Sequence, residues 1–429
     1  MKKSILLSAM ISLSSYLIAQ NCSAPTSGFT PINDLGTGNF NGWTGGLYAG
    51  GSNSMPTAHF QAGLSMASQV QCLDTTGNPD PNGKMVWLSI GMSNCTQETQ
   101  QFIPVANAYP AKNPNLILVD GAQGGQTASI ISTPSNSGYA NFWNTVGTRL
   151  NNAGVTSAQV QVIWLKEANV AAGGNVQTYY DSLVVQFKRI ANELKQRFPN
   201  VKLCYVASRI SARYATSTLN PEPYSYWTGW AVKKVIEDQI NGDLQLQYSG
   251  INANAPWLSW GIYMWSDGST PQTTNPNVFW NCPADFNADG THPSTTGAQK
   301  VATFLLNFFS TDSTSTPWFL GTGCPSTTGI NNDVVNENSI LVFPNPAERE
   351  LIIDNGELKI ESVEVFDVLG QKIKDLTPSP RLASPSSGVT SPSGEGSASI
   401  DVSKFAPGIY FVTVTDEKKN KVTRKVVKM

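Results

Sequence analysis

The sequence predicts an α/β fold class, a three-layer α/β/α domain with a parallel sheet followed by a small all-β sandwich domain. Two observations carry this. Between residues 85 and 309 short apolar segments alternate with longer helical patterns, the order that builds a parallel sheet from βα units. Beyond Cys324 the chain turns polar and then reads as strand after strand, separated by Pro and Gly turns. At 429 residues it is long enough for two or more domains, since one domain typically holds ~100–200 residues.

Strands of the first domain are expected at 85–90, 116–120, 159–165 and 201–207. Each is short and mostly rich in Val, Ile, Leu or aromatics, as in strands covered on both faces. Helices are expected at 96–108, 141–152, 176–198, 229–241 and 297–309. In the last, Val301, Phe304, Leu305 and Phe308 recur at helical spacing. Active sites of such folds sit at the carboxyl ends of the strands, and Ser93 follows the first strand at once.

Composition narrows the function classes. A net charge of -2 provides no global field for nucleic acid or an anionic membrane, so neither is expected as a partner. The 11 Trp fit an aromatic-rich core better than a sugar-contacting surface. Residues 1–20 read as a signal peptide: Lys2 and Lys3 precede an apolar stretch over 5–18, and Ala19-Gln20 offers a cleavage point. That stretch is too short and Ser-interrupted for a membrane span, so no integral membrane segment is expected in the mature chain. Asn21 before Cys22 argues against a lipid anchor.

Six cysteines (Cys22, Cys72, Cys95, Cys204, Cys282, Cys324) lie beyond the signal segment. An even count in an exported chain favours disulfides, and about fifteen pairings remain open. None forms a CxxC pair, so neither a metal site nor a redox motif is expected.

The expected domains are therefore 1–20, a catalytic domain over 21–325, a polar linker over 326–338, and a β domain over 339–429. Strands of the last are expected at 340–343, 350–353, 362–367, 399–402 and 408–415, with a basic strand at 418–428. Residues 377–397 are rich in Ser, Pro and Gly without apolar periodicity, and read as a disordered excursion.

Four ordered motifs in this region resemble the C-terminal sorting domain of the type IX secretion system. They are Val342-Phe343-Pro344-Asn345-Pro346, Val365-Phe366-Asp367-Val368-Leu369-Gly370-Gln371, Gly408-Ile409-Tyr410-Phe411-Val412, and the terminal Lys425-Val426-Val427-Lys428. Ile400-Asp401-Val402-Ser403 falls between the second and third. The resemblance implies handling by the type IX machinery and delivery outside the cell or to its surface. It says nothing about catalysis.

Catalytic candidates come from a different segment, Asp289-Gly290-Thr291-His292-Pro293. An Asp three residues before one of only two His in the chain can orient the imidazole, leaving it free to take a proton from a nucleophile. Ser93 is the candidate nucleophile, and the helix that follows it would lend its N-terminal amides to an oxyanion. Taken alone, Ser93 reads equally well as an N-cap. Glycines in Gly121-Ala122-Gln123-Gly124-Gly125 would let a backbone amide approach a substrate carbonyl, with Gly124 favoured. Asn169, after the strand that ends in Leu165-Lys166-Glu167, would donate its side-chain N–H to the same oxyanion.

These segments, with Gly91-Met92-Ser93, resemble the four blocks of the SGNH/GDSL hydrolases in a divergent form close to the sialate- and xylan-acetylesterase-like members. Met92 stands where the first block usually has an acid, and Lys166 where the third usually has Gly. The resemblance implies a serine esterase needing no cofactor, with Ser93, His292 and Asp289 as triad, and Ser93, Gly124 and Asn169 around the oxyanion. An O-acylated carbohydrate is the implied substrate class. The rival readings are an exported glycan-binding protein without catalysis and a calcium-stabilised surface protein. The latter rests on Asp285-Phe286-Asn287-Ala288-Asp289-Gly290, half of a calcium loop that lacks its closing Glu. His59 has no acid at useful spacing and reads as structural. The aromatics at 221–227 and 257–265 read mainly as core, with sugar stacking as the sharper alternative. Acyl group, glycan, disulfide pairing and oligomeric state are not legible.

Overall fold

A computed structural model describes residues 21–170 and 174–324. In the C-terminal region it describes 341–343, 345, 347, 349–354, 360–367, 371–376, 397–416 and 421–428. The expected signal peptide, the linker at 326–338 and the 377–397 excursion up to Ser397 lie outside the described residues. The chain divides into two compact units, Met1–Ser326 and Thr327–Met429.

The principal elements of the first unit run α1 Thr57–Ser68, β1 Met85–Gly91, α2 Ser93–Asn107, β2 Leu116–Asp120, α3 Tyr139–Asn152 and β3 Val160–Lys166. They continue with α4 Val176–Arg197, β4 Leu203–Ala207, α5 Tyr224–Ile240, β5 Trp257–Trp260 and α6 Thr295–Thr311. The five strands form one sheet in the order β2-β1-β3-β4-β5, and every pairing is parallel. This order reverses direction between β1 and β3, the switch point outside which such sheets bind ligands.

Alternation along the strands explains the two helical layers. Val86, Leu88 and Ile90 of β1 point to one face and pack with α3, α4 and α5 through Phe142, Val146, Leu183, Phe187 and Val232. Met85 and Trp87 point to the other, against Phe102 of α2 and Val301, Leu305 and Phe309 of α6. A period of two with both sides covered gives the continuous apolar strands seen in the sequence. Trp87 and Trp164 lie on neighbouring strands with ring centroids 6.2 Å apart, both fully buried. Truncating either to Ala would cost ~3–5 kcal/mol.

Two disulfides join sequence-distant segments, Cys22–Cys282 and Cys72–Cys324. Cys95 and Cys204 remain free and buried, so the even count did not mean complete pairing. Both thiols sit on elements packed in the interior, α2 and β4, with pKa values raised by burial. They serve as small apolar side chains.

The second unit comprises β6 Leu341–Phe343, β7 Glu350–Asp354, β8 Ile360–Phe366, β9 Lys372–Leu376, β10 Ser397–Asp401, β11 Gly408–Asp416 and β12 Lys421–Lys428. They make two antiparallel sheets, β9-β8-β11-β12 and β10-β7-β6. Leu351, Ile353 and Ile400 from one sheet meet Val363, Val365, Val412 and Val414 from the other in a single apolar core.

Candidate active site

Ser93 stands at the carboxyl end of the sheet's first strand. At Gly91 a β-carbon would lie 2.3 Å from the Lys166 carbonyl oxygen, so β1 and β3 approach here only because no side chain intervenes. Met92 leaves the strand in an extended conformation as the N-cap of α2, and no side chain caps the helix. The amide of Thr96 reaches back to the Met92 carbonyl, closing the first turn. Helix α2 thus begins at Ser93, three residues earlier than the apolar pattern indicated, and Ser93 is its first residue rather than its cap. The hydroxyl is directed elsewhere: Ser93 Oγ lies 2.7 Å from His292 Nε2.

The segment carrying His292 is fixed by its own turn. Asp289 Oδ1 accepts the amides of Thr291 and His292, both at 2.9 Å, and Oδ2 lies 2.5 Å from His292 Nδ1. Nδ1 facing a carboxylate carries the proton, which leaves Nε2 as an acceptor toward Ser93. Gly290 has φ +64, and a β-carbon there would lie 1.8 Å from the Tyr214 carbonyl oxygen, so only glycine fits this turn. Burial pulls the Asp289 carboxyl upward, but the hydrogen bonds from His292 and Thr291 outweigh it and hold it below its usual range. Ser294 Oγ accepts the Gly297 amide at 3.1 Å and caps α6 just beyond. A hydroxyl against the acceptor nitrogen of a carboxylate-oriented imidazole is the arrangement that removes a proton from a nucleophile.

Gly124 lies beside Ser93. A β-carbon on it would stand 3.9 Å from Ser93 Cβ. Its loop is tied to the sheet by the Gln123 amide on the Gly91 carbonyl at 2.9 Å and by Arg149 Nη1, which donates to the Asp120 and Ala122 carbonyls. Asp120 ends β2, accepts the hydroxyls of Ser89 and Thr96 and the Ala122 amide, and is raised by burial despite Arg149 nearby. Asn169 is held at both ends of its carboxamide. Oδ1 accepts the Ser129 amide at 2.9 Å and Nδ2 donates to Gln186 Oε1 at 2.5 Å. An NH₂ group has a second hydrogen, which that bond leaves over.

Beneath these groups lies a set of buried charges that the sequence motifs did not reveal. Lys166 Nζ meets both oxygens of Glu98 at 2.7 Å, with neither side chain more than 1% exposed. Glu167, the next residue, gives one oxygen to the Ala168 amide and is pushed well up by burial. Arg209, two residues past β4, donates to Asn94 Oδ1 at 2.6 Å and reaches the Thr291 carbonyl at 3.4 Å. Glu222 accepts the amides of Ala212 and Tyr226 and the Trp265 indole, and burial pushes it up to about 7. The available signal for Arg209 was a cation closing an apolar strand at its carboxyl end.

The other sequence candidates make structural contacts of their own. His59 is buried in α1, its Nε2 2.8 Å from the Leu258 carbonyl and its ring stacked on Trp257 at 5.0 Å. The 257–265 run contains strand β5, and Trp257, Trp260, Tyr263 and Trp265 are all buried. Tyr226 and Trp227 are buried in α5. The Asp285 carboxylate accepts the Asn281 amide at 2.7 Å and lies 3.6 Å from Lys300, while the Asn287 amide group donates to the Pro293 carbonyl. Among the described residues no group of three or more His, Cys, Asp or Glu could hold a metal ion.

Comparison with known proteins bears chiefly on the second unit. Residues 341–429 match the family model of the secretion system C-terminal sorting domain. The chain carries a type IX sorting domain and is exported by that route to the cell surface or the extracellular space. Among the described residues no helix is long and apolar enough to cross a membrane. No curated protein matches the chain.

Solved structures resemble its parts distantly. A GDSL-like lipase from Parabacteroides merdae is 12% identical over 53% of this chain and 98% of its own, with a TM-score of 0.29. The periplasmic domain of a lipopolysaccharide acetyltransferase from Salmonella ser. Paratyphi A is 11% identical over 60% of this chain and 97% of its own, at 0.28. An immunoglobulin-like β-sandwich protein from Bacteroides vulgatus is 14% identical over 21% of this chain and 85% of its own, at 0.16.

Proposed function

We propose that the chain is an exported serine esterase of the SGNH/GDSL type that removes acyl groups, acetyl foremost, from carbohydrate. The observation that carries this reading is the continuous contact from Ser93 Oγ to His292 Nε2 at 2.7 Å and from His292 Nδ1 to Asp289 at 2.5 Å. It lies at the carboxyl edge of a parallel sheet beside its switch point, the place where such sheets bind ligands, and Ser93 and His292 are both half-buried there.

In the proposed reaction Ser93 Oγ attacks the ester carbonyl while His292 Nε2 takes its proton. Asp289 holds the ring and stabilises the imidazolium that forms. The oxyanion accepts from the amides of Ser93 and Gly124 and from the second Nδ2 hydrogen of Asn169. As the tetrahedral intermediate collapses, the C–O bond to the alcohol breaks and His292 returns the proton to the leaving oxygen. Water then attacks the acyl-Ser93 ester with His292 again as base, releasing the acid and restoring the hydroxyl. These steps use the chain's own groups and call for no cofactor. The choice of carbohydrate rests on export and on the family resemblance.

Hydrolysis of p-nitrophenyl acetate by the wild type, Ser93→Ala and His292→Ala tests the reading. It requires turnover by the wild type and losses of ~10³-fold or more in both variants. Equal rates in all three proteins would remove it.

A further inference from the structure

The residue after the nucleophile and the residue before the general base are bonded to each other. Asn94 Nδ2 donates to the Thr291 carbonyl at 3.0 Å. Arg209 completes the contact from a third element. Its Nη1 donates to Asn94 Oδ1 at 2.6 Å and its Nη2 reaches the same Thr291 carbonyl at 3.4 Å. Asn94, Thr291 and Arg209 are each 1% exposed, so water does not compete for these bonds. The segment after Arg209 supports the same turn, since the Thr216 amide donates to the Asp289 carbonyl at 3.0 Å.

We propose that Asn94 and Arg209 are positioning residues of the esterase reaction, a clamp that sets the distance between Ser93 and His292. The proposal rests on the Ser-His-Asp reading above. Helix α2 and the Asp289–His292 turn are more than 190 residues apart in sequence, and no covalent link fixes their spacing near the site. A carboxamide is suited to this place because it donates to one carbonyl while accepting from the guanidinium. Arginine is suited because its planar fork reaches two acceptors at once and does not lose its proton. Burial works against that charge, and the nearby carboxylates of Glu98, Glu222 and Asp289 support it. Neither residue needs to touch substrate. Loosening the clamp therefore slows the chemical step and leaves binding almost as it was.

The test uses the exported protein and p-nitrophenyl acetate, with kcat, KM and Tm measured for wild type, Asn94→Asp, Asn94→Ala, Arg209→Lys, Arg209→Met and Ser93→Ala. Asn94→Asp is close to isosteric; it keeps an acceptor for Arg209, replaces the donor to Thr291 by an oxygen and adds a negative charge, whereas Asn94→Ala removes both contacts and adds no charge. The clamp predicts a kcat loss of ~10–100-fold in Asn94→Asp and Asn94→Ala, the scale of a displacement near 1 Å. KM should stay within about threefold, the signature of an effect on the chemical step alone. Arg209→Lys should restore part of what Arg209→Met loses. Adding Asn94→Asp to Ser93→Ala should change the residual rate no further, because the clamp acts through the pair it aligns. If Asn94→Asp and Arg209→Lys turn over within about threefold of wild type while Ser93→Ala is inactive, the clamp is wrong and the esterase reading stands. An equal proportional loss in the Ser93→Ala background would also overturn it. Wild type no faster than Ser93→Ala would end the esterase reading and the clamp with it.

Discussion

The Asp289 carboxylate binds His292 twice, through the ring at Nδ1 and through the backbone amide. One side chain therefore shapes the turn and orients the imidazole, which the three-residue spacing allows only because Gly290 takes up the positive φ between them. Asp289→Asn should put a donor in place of the acceptor at Nδ1 and favour the wrong tautomer. Its kcat is expected to fall ~10³–10⁴-fold with little change in KM. The stability effect has a definite sign. Asp289 is depressed in the folded chain, so its contribution is present above the unfolded carboxylate pKa and is lost as pH falls through the lower folded value. The Tm difference between wild type and Asp289→Asn should accordingly shrink as pH drops below about 4.

Asn169 tests the oxyanion donors of the proposal, and its carboxamide is held in the free protein by Ser129 and Gln186. Asn169→Ala should lower kcat ~10²–10³-fold on p-nitrophenyl acetate. Gln186→Ala removes only the brace and should cost less. A full-speed Asn169→Ala would leave the backbone amides of Ser93 and Gly124 as the sole donors.

His59 predicts a pH effect on stability unconnected with catalysis. Burial depresses its pKa, although the Leu258 carbonyl pulls the other way. The unfolded chain takes up a proton first as pH falls below about 6.5, so the folded state loses stability on acidification through that window. His59→Gln keeps a donor for the Leu258 carbonyl and has no charge to gain. Thermal unfolding between pH 7.5 and 5.5 should show a smaller decline for the variant than for wild type.

The disulfide between Cys72 and Cys324 spans 252 residues and ties the segment before β1 to the end of the first unit. Replacing both cysteines by Ala should lower stability by ~2–5 kcal/mol, seen as a reduced denaturation midpoint. Cys95→Ala and Cys204→Ala remove no cross-link, and their cost is the smaller one of a vacated core volume.

Much of this architecture is legible because strands covered on both faces leave compact apolar runs. Met85 to Gly91 and Val160 to Lys166 are such runs, and the strand–helix order predicts their parallel pairing. Strand β5 was harder to read. Its residues, Trp257-Leu258-Ser259-Trp260, are short and ring-rich, and periodicity alone does not separate a strand from a binding surface there. The start of α2 was displaced because Met92 gives no capping signal. Asp289 and His292 stand out through local spacing, whereas the roles proposed for Asn94 and Arg209 rest on contacts across 197 and 115 residues. The same holds for the cysteine pairs. Which thiols meet is decided by tertiary proximity, and two of the six meet none.

The central claim is that Ser93 is an activated nucleophile, and covalent capture reads it directly. Wild type, Ser93→Ala and His292→Ala would be treated with a fluorophosphonate and digested, and the modified peptide identified by mass. The account predicts a single adduct, on Ser93, in wild type, no adduct in Ser93→Ala, and labelling slowed by orders of magnitude in His292→Ala. An unlabelled Ser93, or labelling as fast without His292 as with it, would contradict the proposed mechanism.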